Sequence, residues 1–372
     1  MLYNEEIKYI GLADKIMAEG YPSKDRTGVG TKKIHAANME FSLENGRIPV
    51  LTTRYIPTKS IMVELLWFIS GSTDIKFLKE NGVSIWDSWV KEGTQKFDNR
   101  PEYGLEFLQK KKLLTLPEGF NRNEFFNKYG PGTINQMLGD LFGVEVPSRG
   151  TMSGSIGEGA YGAQWRRWDD TRFVIPEEAT ILKKYHGYES IITFTDSASE
   201  TVEIVNRKYD QLQDAINLIN NNPDSRRIIV SAWNPGRLDQ AQLPPCHLYF
   251  QFLPFEKDGE KYLDLALVCR SQDFLVGTVF NVAQYAMLAH MVAKITGRKA
   301  NKLFWTGMNT HIYNNQMEQY TEIHSQRAPQ DGNDIRFEIT GDQKTIDDFK
   351  LSDLKVTGYN YYGEVINYPI AV

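Results

Sequence analysis

The sequence predicts an α+β fold with a mostly β core. Three observations carry that expectation. Helical and strand-like patterns follow one another in mixed order along the 372 residues. Two apolar runs, His247 to Phe252 and Tyr262 to Val268, flank Asp258-Gly259, a dipeptide that favours a tight hairpin. A long apolar helix follows at Asn281 to Thr296, with Gly297 as its stop.

The elements read in order as follows. Residues 4–20 form an amphipathic helix whose apolar set is Ile7, Ile10, Leu12, Ile16 and Met17. Ser23 to Gly30 is a polar, glycine-bearing loop, and Ile34 to Phe41 a strand. Thr58 to Ile69 is a helix ended by Gly71, and it carries Glu64 inside an apolar stretch. From about Lys91 to Gly159 the chain turns rich in Asn, Pro and Gly, as an insertion of short helices and loops would be. Residues 169–205 read as a second irregular stretch, with Ile191 to Phe194 as a short strand. Gln211 to Asn220 is a helix, and Arg227 to Trp233 a buried strand. Pro244-Pro245 impose an extended lead-in to the strand at His247. One domain over 1–372 is expected, interrupted at about 91–158 and 169–205.

Composition bounds the function. Hydrophobic residues at 41% support a packed core. A net charge of −5 argues against nucleic-acid binding through bulk positive charge. Two cysteines, Cys246 and Cys269, argue against a disulfide-stapled secreted scaffold. The N-terminus shows no signal-peptide pattern, and no 18-residue apolar run suits a membrane span. A cytoplasmic protein is expected.

Folding the hairpin about Asp258-Gly259 sets Cys246 near Arg270 and Ser271. A guanidinium beside a thiol favours the thiolate, which is the nucleophile. His247 follows directly, but strand alternation points it to the other face. Arg26, Arg226, Arg227 and Arg270, with the Ser271 hydroxyl, suit a phosphate. Taken singly, an arginine is more often a solvated charge, and an isolated cysteine in a strand more often a small buried hydrophobe.

Seven ordered blocks carry a resemblance. They are Asp25-Arg26-Thr27-Gly28, Glu64 to Phe68, Ile85 to Trp89, Tyr161 to Arg166, Asp224 to Asn234, Leu243 to His247 with Arg270 to Asp273 and Phe280 to Tyr285, and Thr310 to Tyr313. The chain resembles the thymidylate synthase family over about 4–89, 159–168 and 206–372. The resemblance implies a large twisted mixed β-sheet flanked by helices, and a homodimer formed through the sheet. It implies dUMP as substrate and 5,10-methylenetetrahydrofolate as co-substrate, with no metal. Cys246 would attack C6 of the pyrimidine. Arg26, Arg270 and Ser271 would hold the phosphate, with Arg226 and Arg227 reaching it from the second subunit. His311 and Tyr313 would bind the deoxyribose. Glu64 would relay protons through water, and Tyr161 would help remove the C5 proton. Trp86, Trp89, Asp273, Gly277, Phe280 and Ala371 would line the folate site.

The Asn281 amide offers one donor and one acceptor, which matches uracil at N3 and O4. Hydroxymethylases acting on the cytosine nucleotide carry Asp there. Three positions depart from the family pattern. Cys269 replaces Gln, Val279 replaces a proline beside the folate pocket, and Arg54-Tyr55 replace a basic pair. These leave a dUMP hydroxymethylase as the alternative, with water rather than hydride completing the reaction. The closing tail Pro369-Ile370-Ala371-Val372 and Trp86 favour the methyl product.

Overall fold

A computed structural model describes residues 1–90, 154–195, 201–361 and 363–371. Its spine is a seven-stranded mixed sheet. The strands are β1 (Tyr21–Ser23), β2 (Thr31–Ser42), β6 (Ile229–Ser231), β7 (His247–Lys257), β8 (Glu260–Cys269), β9 (Gln272–Asp273) and β10 (Lys299–Tyr313). They run in the order β1-β2-β10-β8-β7-β6, with β9 pairing to β10. β10 runs parallel to β8 and β9, and the remaining ladders are antiparallel. This is the mixed sheet with flanking helices that the sequence predicts.

The β7–β8 hairpin closes on a two-residue loop. Lys257 pairs with Glu260, and Asp258 and Gly259 both adopt positive φ, 54° and 76°. That geometry matches the right-handed twist of the strands. The register then runs without a break to Tyr249 opposite Val268, where a bulge intervenes before His247 opposite Cys269.

Two helices lie on the sheet, and a third packs on one of them. α1 (Tyr3–Glu19) lies on β2 and β10, and α2 (Thr58–Ile69) buries eight of its twelve residues. The central helix, here α7 (Gly277–Ile295), is apolar on nearly every side and packs on β8 and β10. It begins at Gly277, four residues before the predicted start, so Asn281 lies in its second turn rather than at its cap. Core side chains Phe250, Phe252, Leu265, Leu267, Leu303 and Trp305 fill the space beneath.

The stretch predicted to be irregular at 169–205 is regular wherever it is described. β3 (Trp168–Val174), β4 (Glu189–Thr195) and β5 (Thr201–Tyr209) form a sheet ordered β3-β5-β4. α5 (Pro176–His186) packs Ala179 and Leu182 against Val174, Tyr188 and Val205. Its start has proline in the first turn, and Gly187 ends it in the left-handed region. The insertion expected at 91–158 lies outside the described residues except for its last five. There Ile156 N–H bonds the Thr73 carbonyl at 2.9 Å.

Two short strands, β11 (Arg336–Ile339) and β12 (Leu354–Thr357), pair beside the far end of α7. The predicted strand from Arg227 to Trp233 is shorter than expected. Arg226 and Arg227 sit in an exposed turn before β6.

Candidate active site

A cavity of about 510 Å³ opens between α2, the C-terminal ends of β8 and β10 and the C-terminal segment. That volume suits a small-molecule ligand. Its wall includes Cys246, Glu64, Tyr161, Arg270, Asn281, Arg26, Ser271, His311, Tyr313, Trp86, Trp89, Asp273, Gly277 and Ala371. Phe280 packs against the core instead, and Arg226 and Arg227 do not reach this chain's own cavity.

Cys246 arrives where the hairpin register predicts. Arg270 N–H donates to the Cys246 carbonyl at 2.8 Å. The Arg270 guanidinium holds the Pro245 and Pro244 carbonyls at 2.9 and 2.8 Å and lies 5.1 Å from the Trp233 ring. So the two prolines and the arginine fix the turn that presents the thiol. Burial pushes the Cys246 thiol up, and the Arg270 charge and a Tyr161 hydrogen bond pull it back. Cys269 is buried in the core, and burial pushes its thiol up further.

His247 is not on the opposite face. Cys246 precedes β7, and the bulge after His247 turns the ring into the cavity wall. His247 Nδ1 lies 3.1 Å from Tyr285 Oη, and its ring packs 4.7 Å from that of Tyr161. Burial lowers it to about 4, against a hydrogen bond with Asn281. It is neutral near pH 7 and positions its neighbours.

Tyr161 opens helix α4 (Tyr161–Arg167), which crosses α2 closely. Gly162 makes the crossing possible, since a Cβ there would fall 2.7 Å from the Phe68 carbonyl oxygen. The contact sets the Tyr161 ring 4.9 Å from Phe68 and its hydroxyl at the nucleophile, where Cys246 N–H donates to Oη at 2.7 Å.

Glu64 is clamped at both oxygens. Trp86 Nε1 donates to Oε1 at 2.7 Å and Gln284 Nε2 to Oε2 at 2.8 Å. Burial pushes its carboxyl up to about 7, against those two bonds. Sequence reasoning missed Gln284. The available signal was its i+3 spacing from Asn281 on an otherwise apolar helix. Gln272 was missed too; Asn281 Nδ2 donates to its Oε1 at 3.2 Å.

The lining is rich in cations: Arg26, Lys24, Lys33 and Arg270, with His311. Asp25 folds the Arg26 loop by accepting from Thr27 N–H at 3.1 Å and Gly30 N–H at 2.8 Å. The Arg26 guanidinium lies 5.6 Å from the Trp89 ring. The lining also carries the apolar Ile85, Trp86, Ile370 and Ala371, and Asp273, whose carboxyl burial pushes up to about 6.

Two of the departures from the family pattern lie away from the cavity. Val279 is fully buried in the first turn of α7 and does not line the wall. Arg54 is buried, with its guanidinium on the Leu275 and Ile366 carbonyls. Among the described residues, no group of three or more His, Cys, Asp or Glu is placed to hold a metal. Nor is any described helix long and apolar enough to cross a membrane.

The sheet, the presented thiol, the clamped carboxylate and the cationic rim define an α+β enzyme with a thiol-bearing cleft of nucleotide size. The thymidylate synthase family model matches residues 7–372. Thymidylate synthases of Coxiella burnetii strains Dugway 5J108-111 and RSA 493 / Nine Mile phase I are each 32% identical over 365 residues, 98% of this chain and 99% of theirs. The chain belongs to the thymidylate synthase family. The family transfers a one-carbon unit to dUMP, with methylenetetrahydrofolate as co-substrate.

Proposed function

We propose that this chain converts dUMP to dTMP in the cytoplasm, with 5,10-methylenetetrahydrofolate consumed and dihydrofolate released. One observation carries the reading. Cys246, Tyr161, Glu64 and Asn281 line one cavity together with Arg26, Arg270, Lys24 and Lys33. That is the layout a phosphorylated pyrimidine needs.

The phosphate sits among Arg26, Arg270 and Ser271, drawn by the two guanidinium charges and the hydroxyl. His311 and Tyr313, paired edge-on at 5.1 Å, hold the sugar hydroxyl. The Asn281 amide reads uracil N3–H and O4. Cys246 Sγ then bonds C6, and the C5–C6 electron pair moves toward O4. Glu64, titrating near neutrality, moves protons through water at O4. The folate supplies the one-carbon unit to C5 and afterwards a hydride. Tyr161 assists loss of the C5 proton, and Cys246 departs as C6 regains its double bond.

The residues present fit the folate. Trp86 and Trp89 offer aromatic faces, Gly277 leaves space, and Asp273 gives a carboxylate for a ring N–H. Phe280 supports that wall from the core side. Ile370 and Ala371 add apolar surface to that wall, which favours hydride over hydroxyl delivery.

The working unit is a homodimer. The uncovered sheet face exposes Ile229, Tyr249, Leu253 and Met308, an apolar set that suits a second copy. Arg226 and Arg227 stand in the turn leading into the β6 edge of that face, free to enter the second subunit's site. A single domain spans 1–372, and the β3-β5-β4 unit is an elaboration of it.

Mass spectrometry of the pyrimidine product, with absorbance read for dihydrofolate, tests the proposal. A methylated product with one dihydrofolate each supports it. A hydroxymethylated product with tetrahydrofolate makes the chain a dUMP hydroxymethylase. No change in dUMP sinks both.

A further inference from the structure

Gln316 is fully buried in the short helix α8 (Asn314–Gln319), yet it spends its whole amide on the cavity's walls. Its Oε1 accepts from Tyr313 N–H at 3.2 Å. Its Nε2 donates to Asp273 Oδ2 at 3.0 Å and to the Pro369 carbonyl at 3.1 Å. Three separate segments therefore meet on one side chain: the end of β10, the β9 carboxylate and the C-terminal segment. Pro369 immediately precedes Ile370 and Ala371, which line the cavity.

A second side chain repeats the connection. The Arg54 guanidinium donates to the Ile366 carbonyl at 3.1 Å and to the Leu275 carbonyl, and it lies 4.9 Å from the Tyr368 ring. Arg54 and Gln316 thus each join the 273–275 loop to the 366–369 segment, at points three residues apart along the latter. Arg327 anchors the same segment further back, donating to the Glu364 carbonyl at 2.9 Å.

We infer that Gln316 is a positioning residue that locks the C-terminal segment onto Asp273 and so sets the grip on the second substrate without touching the first. The inference rests on the reading of Asp273 and the C-terminal segment as the folate wall. A glutamine suits the task because one amide both accepts and donates. Both Asp273 oxygens are already engaged, since Oδ1 accepts from Val276 N–H at 3.3 Å. The carboxylate is aimed rather than free to rotate, and its aim depends on Gln316.

Two variants test this. Gln316→Leu removes the donor and the acceptor at similar size. Losing a hydrogen bond to a charged group should raise KM for methylenetetrahydrofolate roughly tenfold or more. KM for dUMP should rise several-fold less, since only the backbone N–H of Tyr313 loses its acceptor. Hydrogen exchange of the 364–371 peptide should quicken while the sheet stays protected. Gln316→Glu keeps the acceptor for Tyr313 but sets a carboxylate against Asp273. The groups facing that pair are Arg54, Tyr9, Tyr313, Tyr368 and Cys246. At about pH 8 this variant should behave like the Leu variant, and near about pH 5.5 it should recover, because one protonated carboxyl again donates. Unchanged folate KM with unchanged exchange overturns the inference. So does an equal rise in both KM values with exchange quickened throughout the sheet. If the wild-type chain leaves dUMP unchanged, the functional reading fails, and the exchange of 364–371 alone decides Gln316.

Discussion

The Trp86 indole donates its N–H to Glu64 Oε1 at 2.7 Å, so an aromatic wall of the cavity also holds its central carboxylate. With Gln284 on the other oxygen, the charged form of Glu64 has two fixed donors. Burial still wins and carries the group to about 7. Its proton is therefore balanced at the pH where the chemistry runs.

From that balance comes the first prediction. The pH profile of kcat/KM should show a titration near 7, and Glu64→Gln should erase it while costing roughly 10²- to 10⁴-fold in rate. Gln284→Leu removes a donor to the charged form, so the titration should move to higher pH. Trp86→Phe should move it the same way. A profile that stays in place or shifts down in both variants sinks the clamp.

Thiol reactivity gives the second. Burial raises Cys246 and the Arg270 charge lowers it, so the guanidinium governs the thiolate fraction. Iodoacetamide should label Cys246 in the folded chain and Cys269 only in denaturant, since Cys269 is fully buried. Arg270→Ala should slow alkylation at constant pH, by about tenfold for each unit the thiol rises. Faster labelling of that variant would show that Arg270 shields the sulfur rather than activating it.

Much of this geometry was legible because it is local. The β7–β8 register follows from Asp258-Gly259, and the register alone brings Cys246 to Arg270. α2 kept its predicted bounds, Thr58 to Ile69. Three features hid for physical reasons. The start of α7 has no side-chain cap at Val276, so nothing polar marks it. β3 and β5 carry charges that pair across the ladder, with Lys208 on Asp169 at 2.6 Å and Arg207 on Asp170 at 3.0 Å, and these blur the alternation of a strand. Gln272, Gln284 and Gln316 look like surface glutamines until the sheet and helices bring a donor to the first and acceptors to the other two.

Acid stability is the third prediction. Burial holds His247 and His290 at about 4 and His324 at about 3, against an unfolded value near 6.5. Between those values the unfolded chain binds more protons than the folded one. The stability these histidines contribute is therefore full above about pH 6.5 and is lost as the pH drops toward 4, partly offset by Glu64 and Asp273, whose raised values act in the opposite sense. Each of His247 and His290 would contribute a loss on the order of 3 kcal/mol over that window. His290 Nε2 lies 2.8 Å from the Arg47 carbonyl, a contact that a glutamine amide can also make. Melting temperature followed from pH 8 to 4 should fall less steeply for His290→Gln than for the wild type. An unchanged slope would remove His290 from the account.

The pyrimidine preference rests on how Asn281 is held. Its Nδ2 donates one proton to Gln272 Oε1 at 3.2 Å, and His247 bonds the same side chain. These partners orient the amide so that it offers both an acceptor and a donor to the base. Asn281→Asp removes the donor, leaving O4 of uracil unpaired and Gln272 Oε1 facing a carboxylate. A site built to hydrogen-bond a base edge rejects the wrong edge strongly, so kcat/KM for dUMP should drop by roughly 100-fold or more. The same change suits the amino group of cytosine, and dCMP should gain in parallel. Gln272→Leu should weaken dUMP without any gain for dCMP, because it loosens the amide rather than reversing it. If the two variants give the same pattern, then Gln272 and Asn281 do not read the base as a pair.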